Sequence, residues 1–164
     1  MLIALNRSFT AVSKGLLEVV DESKILSKHF TPSSDLSPVS DIFSSPAIEI
    51  LSLHFPSTMS DAHKSEAFSL WKSFQTQGLE SSTKFNGTAG GWSVESHVPV
   101  MGDEPRTETT EGVAMMLLLG WTSVEDHLKN RETEEFKQAA PFLLEKMPGR
   151  CGLMVCHVKP VTRT

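Results

Sequence analysis

The chain has 164 residues, of which 39% are hydrophobic and 21% charged, and it carries a formal net charge of −5. That size and balance suit one globular domain, or one domain with an added segment, able to bury a core without disulfides or metal. The acidic balance and the lack of any basic run exclude a general nucleic-acid binder, and no stretch approaches the roughly 18 apolar residues of a membrane span.

The opening MLIALNRSF has five apolar residues before Asn6 and Arg7. That is too short for a signal-peptide apolar region, so a cytoplasmic protein is expected. Residues 31–47 are rich in serine and proline, with Ile42 and Phe43 inside, and read as a turn-rich connection holding a short helical piece. Residues 48–55, IEILSLHF, are short, apolar and bounded by Pro46 and Pro56, which predicts a strand. Residues 61–80 place Ala67, Leu70, Trp71 and Phe74 at helical spacing, with Asp61 suited to the first turn and Gly78 to the end.

Gly87, Gly90 and Gly91 then suggest a loop. Residues 92–100 alternate, Trp92, Val94, Val98 and Val100 against Glu95 and His97, and predict a strand near an edge because of Pro99. The apolar run of residues 112–121 fits a central strand buried on both faces, or a short buried helix, and its glycine ends favour the strand. In residues 122–146, Thr122 with Glu125 and Ser123 with Asp126 have capping-box spacing. Val124, Leu128, Phe136, Ala140 and Leu143 form an apolar stripe, and Pro141 should end or kink the helix near Ala140. Residues 152–158 predict a last strand.

From residue 48 the order is therefore β-α-β-β-α-β. This predicts an α+β domain, a ferredoxin-like unit with a four-stranded antiparallel sheet over residues 48–164. Its helices cover one face, and its other face needs a second sheet from a partner or another module. Pro38 lies sixteen residues before His54, and Pro141 sixteen before His157, each followed by an apolar cluster and a strand. Residues 1–47 are on this reading either the remnant of a related first module or a chance similarity. Cys151 and Cys156, five apart, cannot pair within one strand and are read as reduced thiols. The sequons at Asn6 and Asn86 are taken as chance matches. No metal-ligand spacing, phosphate loop or serine elbow is present, so neither a metal nor a cofactor is expected.

The string Gly120-Trp121-Thr122-Ser123-Val124-Glu125-Asp126-His127, with the run from Arg131 to Phe136, resembles the strand-to-helix junction of the antibiotic-biosynthesis-monooxygenase family. With the element order, the likeness spans roughly residues 48–160, and fungal proteins with tandem modules are similar in layout. The resemblance implies units paired sheet to sheet as a dimeric α/β-barrel, hence a homodimer. It further implies cofactor-independent oxygenation or cyclisation of aromatic, polyketide-like molecules of secondary metabolism. Other members degrade haem or have no assigned activity, so a ligand-binding or stress-response barrel is the alternative.

His127, in the first turn after a strand, is the first candidate for a general base, and Arg131, four residues on, could stabilise an oxyanion. His54 and His157 end similar strands that neighbour each other in this topology, although antiparallel strands can place these ends at opposite edges. Trp92 and Trp121 are candidate aromatic walls for a flat ligand, and Met115, with Met101, Met116 and Met154, is a candidate for an adaptable lining. His97 and Glu95 share a strand face and could form an acid/base pair. Against each stands a plainer role in core or surface.

Overall fold

The computed structural model describes residues 28–102 and 110–159. Its elements in chain order are β1 (Phe30–Pro32), α1 (Val39–Phe43), β2 (Ala47–Pro56), α2 (Asp61–Phe74), β3 (Phe85–Ser93) and β4 (Val98–Pro99). There follow β5 (Glu111–Trp121), α3 (Val124–Asn130), α4 (Glu134–Ala139), α5 (Pro141–Leu144) and β6 (Gly152–Val158). This is a mixed α and β fold around one antiparallel sheet, ordered β1-β3-β5-β2-β6, with β4 paired to β5. Among the described residues the sheet is open, with β1 and β6 as edges. No helix among the described residues is long and apolar enough to cross a membrane.

The apolar runs lie at the centre of the sheet for a physical reason. A strand with neighbours on both sides and layers on both faces tolerates no polar side chain without a partner. β5 pairs with β2 from Ala47↔Trp121 to Pro56↔Gly112, and nearly all of it is buried. Odd-numbered residues of these two strands (Leu51, Leu53 and Phe55; Met115, Leu117 and Leu119) pack with Ala67, Trp71 and Phe74 of α2 in the main core. Even-numbered residues face the other side, where Ile42 of α1 covers Ile48, Ala89 and Leu118.

Several expectations need correction. The sheet has six strands among the described residues, not four, because β1 pairs with β3 and β4 adds to β5. The glycines at 87, 90 and 91 are not a loop but part of β3. A Cβ on Gly91 would stand 1.9 Å from the Thr31 oxygen, and one on Gly90 2.1 Å from that of Met116. Close backbone approach, not chain reversal, is what those positions need. The strand ends at Ser93, so the predicted alternation to Val100 does not form and Val94 is exposed. Gly78 does not end α2. The chain continues as a π-turn through Gln75–Leu79, in which a Cβ on Gly78 would lie 2.9 Å from the Ala139 Cβ.

The helix expected over residues 122–146 is three short ones. α4 restarts on its own cap, Thr133, whose Oγ1 accepts from the Phe136 N–H, and Pro141 opens α5. Pro38 stands just before α1 and Pro141 begins α5, and each helix leads into a strand carrying a histidine. The rest of the expected N-terminal segment, residues 1–27, lies outside the described residues.

The Ser123 hydroxyl caps α3 by accepting the Asp126 N–H at 3.0 Å. Replacing Ser123 with Ala is expected to lower stability by about 1 kcal/mol, read as a lower urea midpoint at unchanged slope.

Candidate functional site

The cap that starts α3 also orients the site. Thr122 Oγ1 and Ser123 Oγ both donate to Asp126 Oδ2, at 2.7 and 2.9 Å, and these bonds hold the half-buried Asp126 carboxyl below its ordinary range. With the first turn fixed, His127, the next residue, is buried. Its ring stacks on Trp121, the last residue of β5, with centroids 4.9 Å apart and planes at 29°.

Two further side chains reach His127 from neighbouring strands. Glu49 of β2 and His157 of β6 are direct cross-strand partners on the helix-covered face. His127 Nδ1 is hydrogen-bonded to His157 Nε2 at 2.7 Å, and His127 Nε2 lies 3.3 Å from Glu49 Oε2. The Trp121 indole N–H donates to that same Oε2 at 3.3 Å. A chain of polar groups thus runs from a buried carboxyl to a half-buried histidine on the sheet edge.

Beside it is a cavity of about 130 Å³, lined by Glu49, His127 and Arg131 and otherwise by apolar side chains, among them Leu51, Phe74 and Leu143. Leu144 and Val155, both exposed by more than a third, sit at its rim. An apolar cavity of about 150 Å³ takes a benzene ring, so this one suits a single ring with the remainder of a larger molecule outside. The guanidinium of Arg131, exposed at the end of α3, makes no hydrogen bond or ion pair among the described residues.

Burial sets the charges. Desolvation pushes the Glu49 carboxyl up to about 7, although the Trp121 hydrogen bond and the Arg131 charge pull the other way. Burial lowers His127 to about 4, assisted by the charges of His157 and Arg131, and lowers His157 for the same first reason. A buried acid with a raised pKa contributes stability that is full below its unfolded value of 4.5 and is lost as pH rises through about 7. Relative to a Glu49→Gln variant, the protein is therefore expected to lose on the order of 3 kcal/mol between those limits. Parallel urea titrations of the two proteins across that window check it, and parallel pH profiles would contradict it.

Glu49, His127 and His157 can each present a ligand atom within 4.8 Å of the others, an N/O set able to hold a divalent cation. Two features favour a hydrogen-bonded chain instead. Both nitrogens of His127 already face partners, and the positive Arg131 acts on all three groups.

Of the residues singled out in the sequence, the fold brings together His127, Arg131, His157 and Trp121. It places the others elsewhere. His54 is five residues from Glu49 on the same strand, so it points to the opposite face, with Nε2 3.1 Å from Ser52 Oγ and Nδ1 buried without a partner. Trp92 packs on Phe55 at 5.3 Å and borders a separate open groove with Asp35 and Lys64, while Trp121 stacks on His127 and does not itself line the cavity. Met115 is fully buried in the main core. His97 is exposed and 3.5 Å from Glu111, while Glu95 pairs with His29 at 2.6 Å, so no His97–Glu95 pair exists.

Glu49 is the site residue that sequence reasoning missed. A signal was present: in IEILSLHF it is the one charged residue, in phase with Leu51, Leu53 and Phe55 on the buried face.

No family model matches the chain, and no curated protein matches it. Among solved structures it is similar to a conserved protein of unknown function from Bacteroides thetaiotaomicron VPI-5482, described as a possible oxidoreductase. The identity is 12%, the TM-score 0.40, and the match covers 70% of this chain and 97% of that one. It is also similar to a candidate antibiotic biosynthesis monooxygenase from Caulobacter crescentus CB15, at 17% identity and a TM-score of 0.35, over 72% of this chain and 92% of that one.

Proposed function

We propose that the protein is a small-molecule enzyme that removes a proton from a hydroxylated aromatic, polyketide-like substrate without a bound cofactor. The observation that carries this reading is a buried carboxyl, held near neutrality by burial, in an apolar cavity with a guanidinium at its mouth. A desolvated carboxylate poised near working pH is an efficient base, and a cation at the rim offsets the charge that develops on the substrate oxygen.

The pair Glu49–His127 acts as the base. His127 has both nitrogens occupied, whereas Glu49 receives its two contacts on Oε2, leaving Oε1 without a hydrogen bond among the described residues. Oε1 takes the proton, His127 holds the carboxyl in place, and Arg131 stabilises the anion. The resulting carbanion either combines with dioxygen or closes a ring on a carbonyl within the same molecule. The fold around the site is on this reading a ferredoxin-like unit.

The second sheet face carries half-buried Ile50, Met116 and Met154 and exposed Cys156 and Val158, and we propose that it pairs with a second copy to complete a barrel. Native mass spectrometry reads the dimer directly.

The test of the chemistry is a panel of hydroxylated aromatics and poly-carbonyl compounds, followed by oxygen uptake and product mass. Turnover of a member with one ring small enough for the cavity is expected. Tight binding of such compounds without turnover would overturn the enzyme and leave a ligand-binding barrel.

A further inference from the structure

We propose that Glu49, His127 and His157 form a proton relay joining the closed end of the cavity to solvent, with His157 as its outer terminus. The inference rests on the reading above for its purpose, and on geometry for its path.

Glu49 and His127 line the cavity, but His157 does not. His157 sits instead on β6, an edge strand, half-buried, and its Nδ1 has no partner among the described residues. The links between the ends are 3.3 Å from Glu49 Oε2 to His127 Nε2 and 2.7 Å from His127 Nδ1 to His157 Nε2. The second is already a full hydrogen bond, and the first is of a length that closes to one when a ligand seals a site.

An imidazole passes a proton by receiving it on one nitrogen and releasing it from the other. Once Glu49 is protonated and His127 has its hydrogen on Nδ1, the carboxyl turns its O–H to His127 Nε2 and passes the proton there, and His127 releases its Nδ1 proton to His157 Nε2. His157 then gives up its Nδ1 proton to water. No positive charge is left on either imidazole, which matters because a lasting imidazolium in the buried part would be strongly disfavoured. The reverse passage returns a proton to the product and restores each ring to its starting tautomer. The titratable or charged groups facing His127 are Glu49 from β2, His157 from β6 and Arg131 from its own helix.

Two states follow. With Glu49 protonated, it donates to His127 Nε2, and His127 carries its hydrogen on Nδ1, donating to His157. With Glu49 ionised, His127 carries its hydrogen on Nε2, toward the carboxylate, and Nδ1 accepts from His157. Ionising Glu49 must therefore invert the tautomer of His127 without charging it.

Long-range ¹⁵N–¹H correlation spectra of the labelled full chain read this with no substrate. The expected result is a neutral His127 whose hydrogen shifts from Nδ1 to Nε2 as pH rises, with His157 changing in step. In His157→Phe, which keeps a ring but no nitrogen, the inversion at His127 is expected to weaken or vanish. A His127 that holds one tautomer across the whole titration would overturn the relay, as would an inversion untouched by His157→Phe. Neither result bears on whether Glu49 is a base, which the substrate panel decides separately.

Discussion

Replacing Glu49 with Gln is expected to lower turnover by a factor on the order of 10²–10⁴ while leaving the fold in place. Gln keeps the shape and can still accept from the Trp121 indole N–H, whose nitrogen lies 3.3 Å from Oε2, so the cluster need not collapse. What it loses is the capacity to take a proton. The measurement is steady-state turnover of whichever panel compound reacts, alongside a thermal melt. A variant that melts like the parent and turns over at the parental rate would remove Glu49 from the chemistry. His127→Ala offers a complementary result, since it frees the carboxyl from its partner and leaves Arg131 in place. A smaller loss than for Glu49→Gln would support His127 as the partner and Glu49 as the proton acceptor.

Trp121→Ala is expected to cost about 3–5 kcal/mol of stability. The side chain is fully buried, packs on Phe85 with centroids 5.2 Å apart, stacks on His127 and donates to Glu49. Its loss thus opens a cavity and removes a hydrogen bond from a buried carboxyl, two costs that fall on one site. Trp71→Ala is a control of similar size: Trp71 is equally buried but packs on Phe74, and its indole nitrogen has no partner among the described residues. Urea unfolding of both variants gives the comparison. A larger destabilisation in Trp121→Ala, with the His127 resonances disturbed only there, is expected. A cost below about 1 kcal/mol for Trp121→Ala would mean that the aromatic floor of the site is dispensable.

The strands that a reader can find in the sequence are those where one rule acts alone. Residues 48–55 and 112–121 are apolar runs punctuated by proline or glycine, and β2 and β5 extend them by only a residue or two. The glycine-rich stretch was misplaced because glycine serves two needs that look the same in sequence, a turn and a close approach of backbones. Here the neighbours Thr31 and Met116, distant in the chain, demand the second. The helical region after residue 122 showed its first cap and its Pro141 break, but not the restart at Thr133, which follows the packing of α4 against the π-turn around Gly78.

His127 and Arg131 could be chosen from their place after a strand. Their partners could not, since Glu49 and His157 meet only through the β2–β6 register. A shift of that register by one residue would turn both to the opposite face.

The edge position of β6 gives the relay a rate of its own. β5 and β2 each have ladders on both sides, whereas among the described residues β6 is laddered to β2 alone. Amide hydrogens of an edge strand exchange through small local openings, well below the free energy of global unfolding. Each such opening lifts His157 away from His127 and interrupts the 2.7 Å contact between them. Proton escape is then gated by the breathing of one strand, and it can become the slow step of a cycle whose bond-making chemistry is fast.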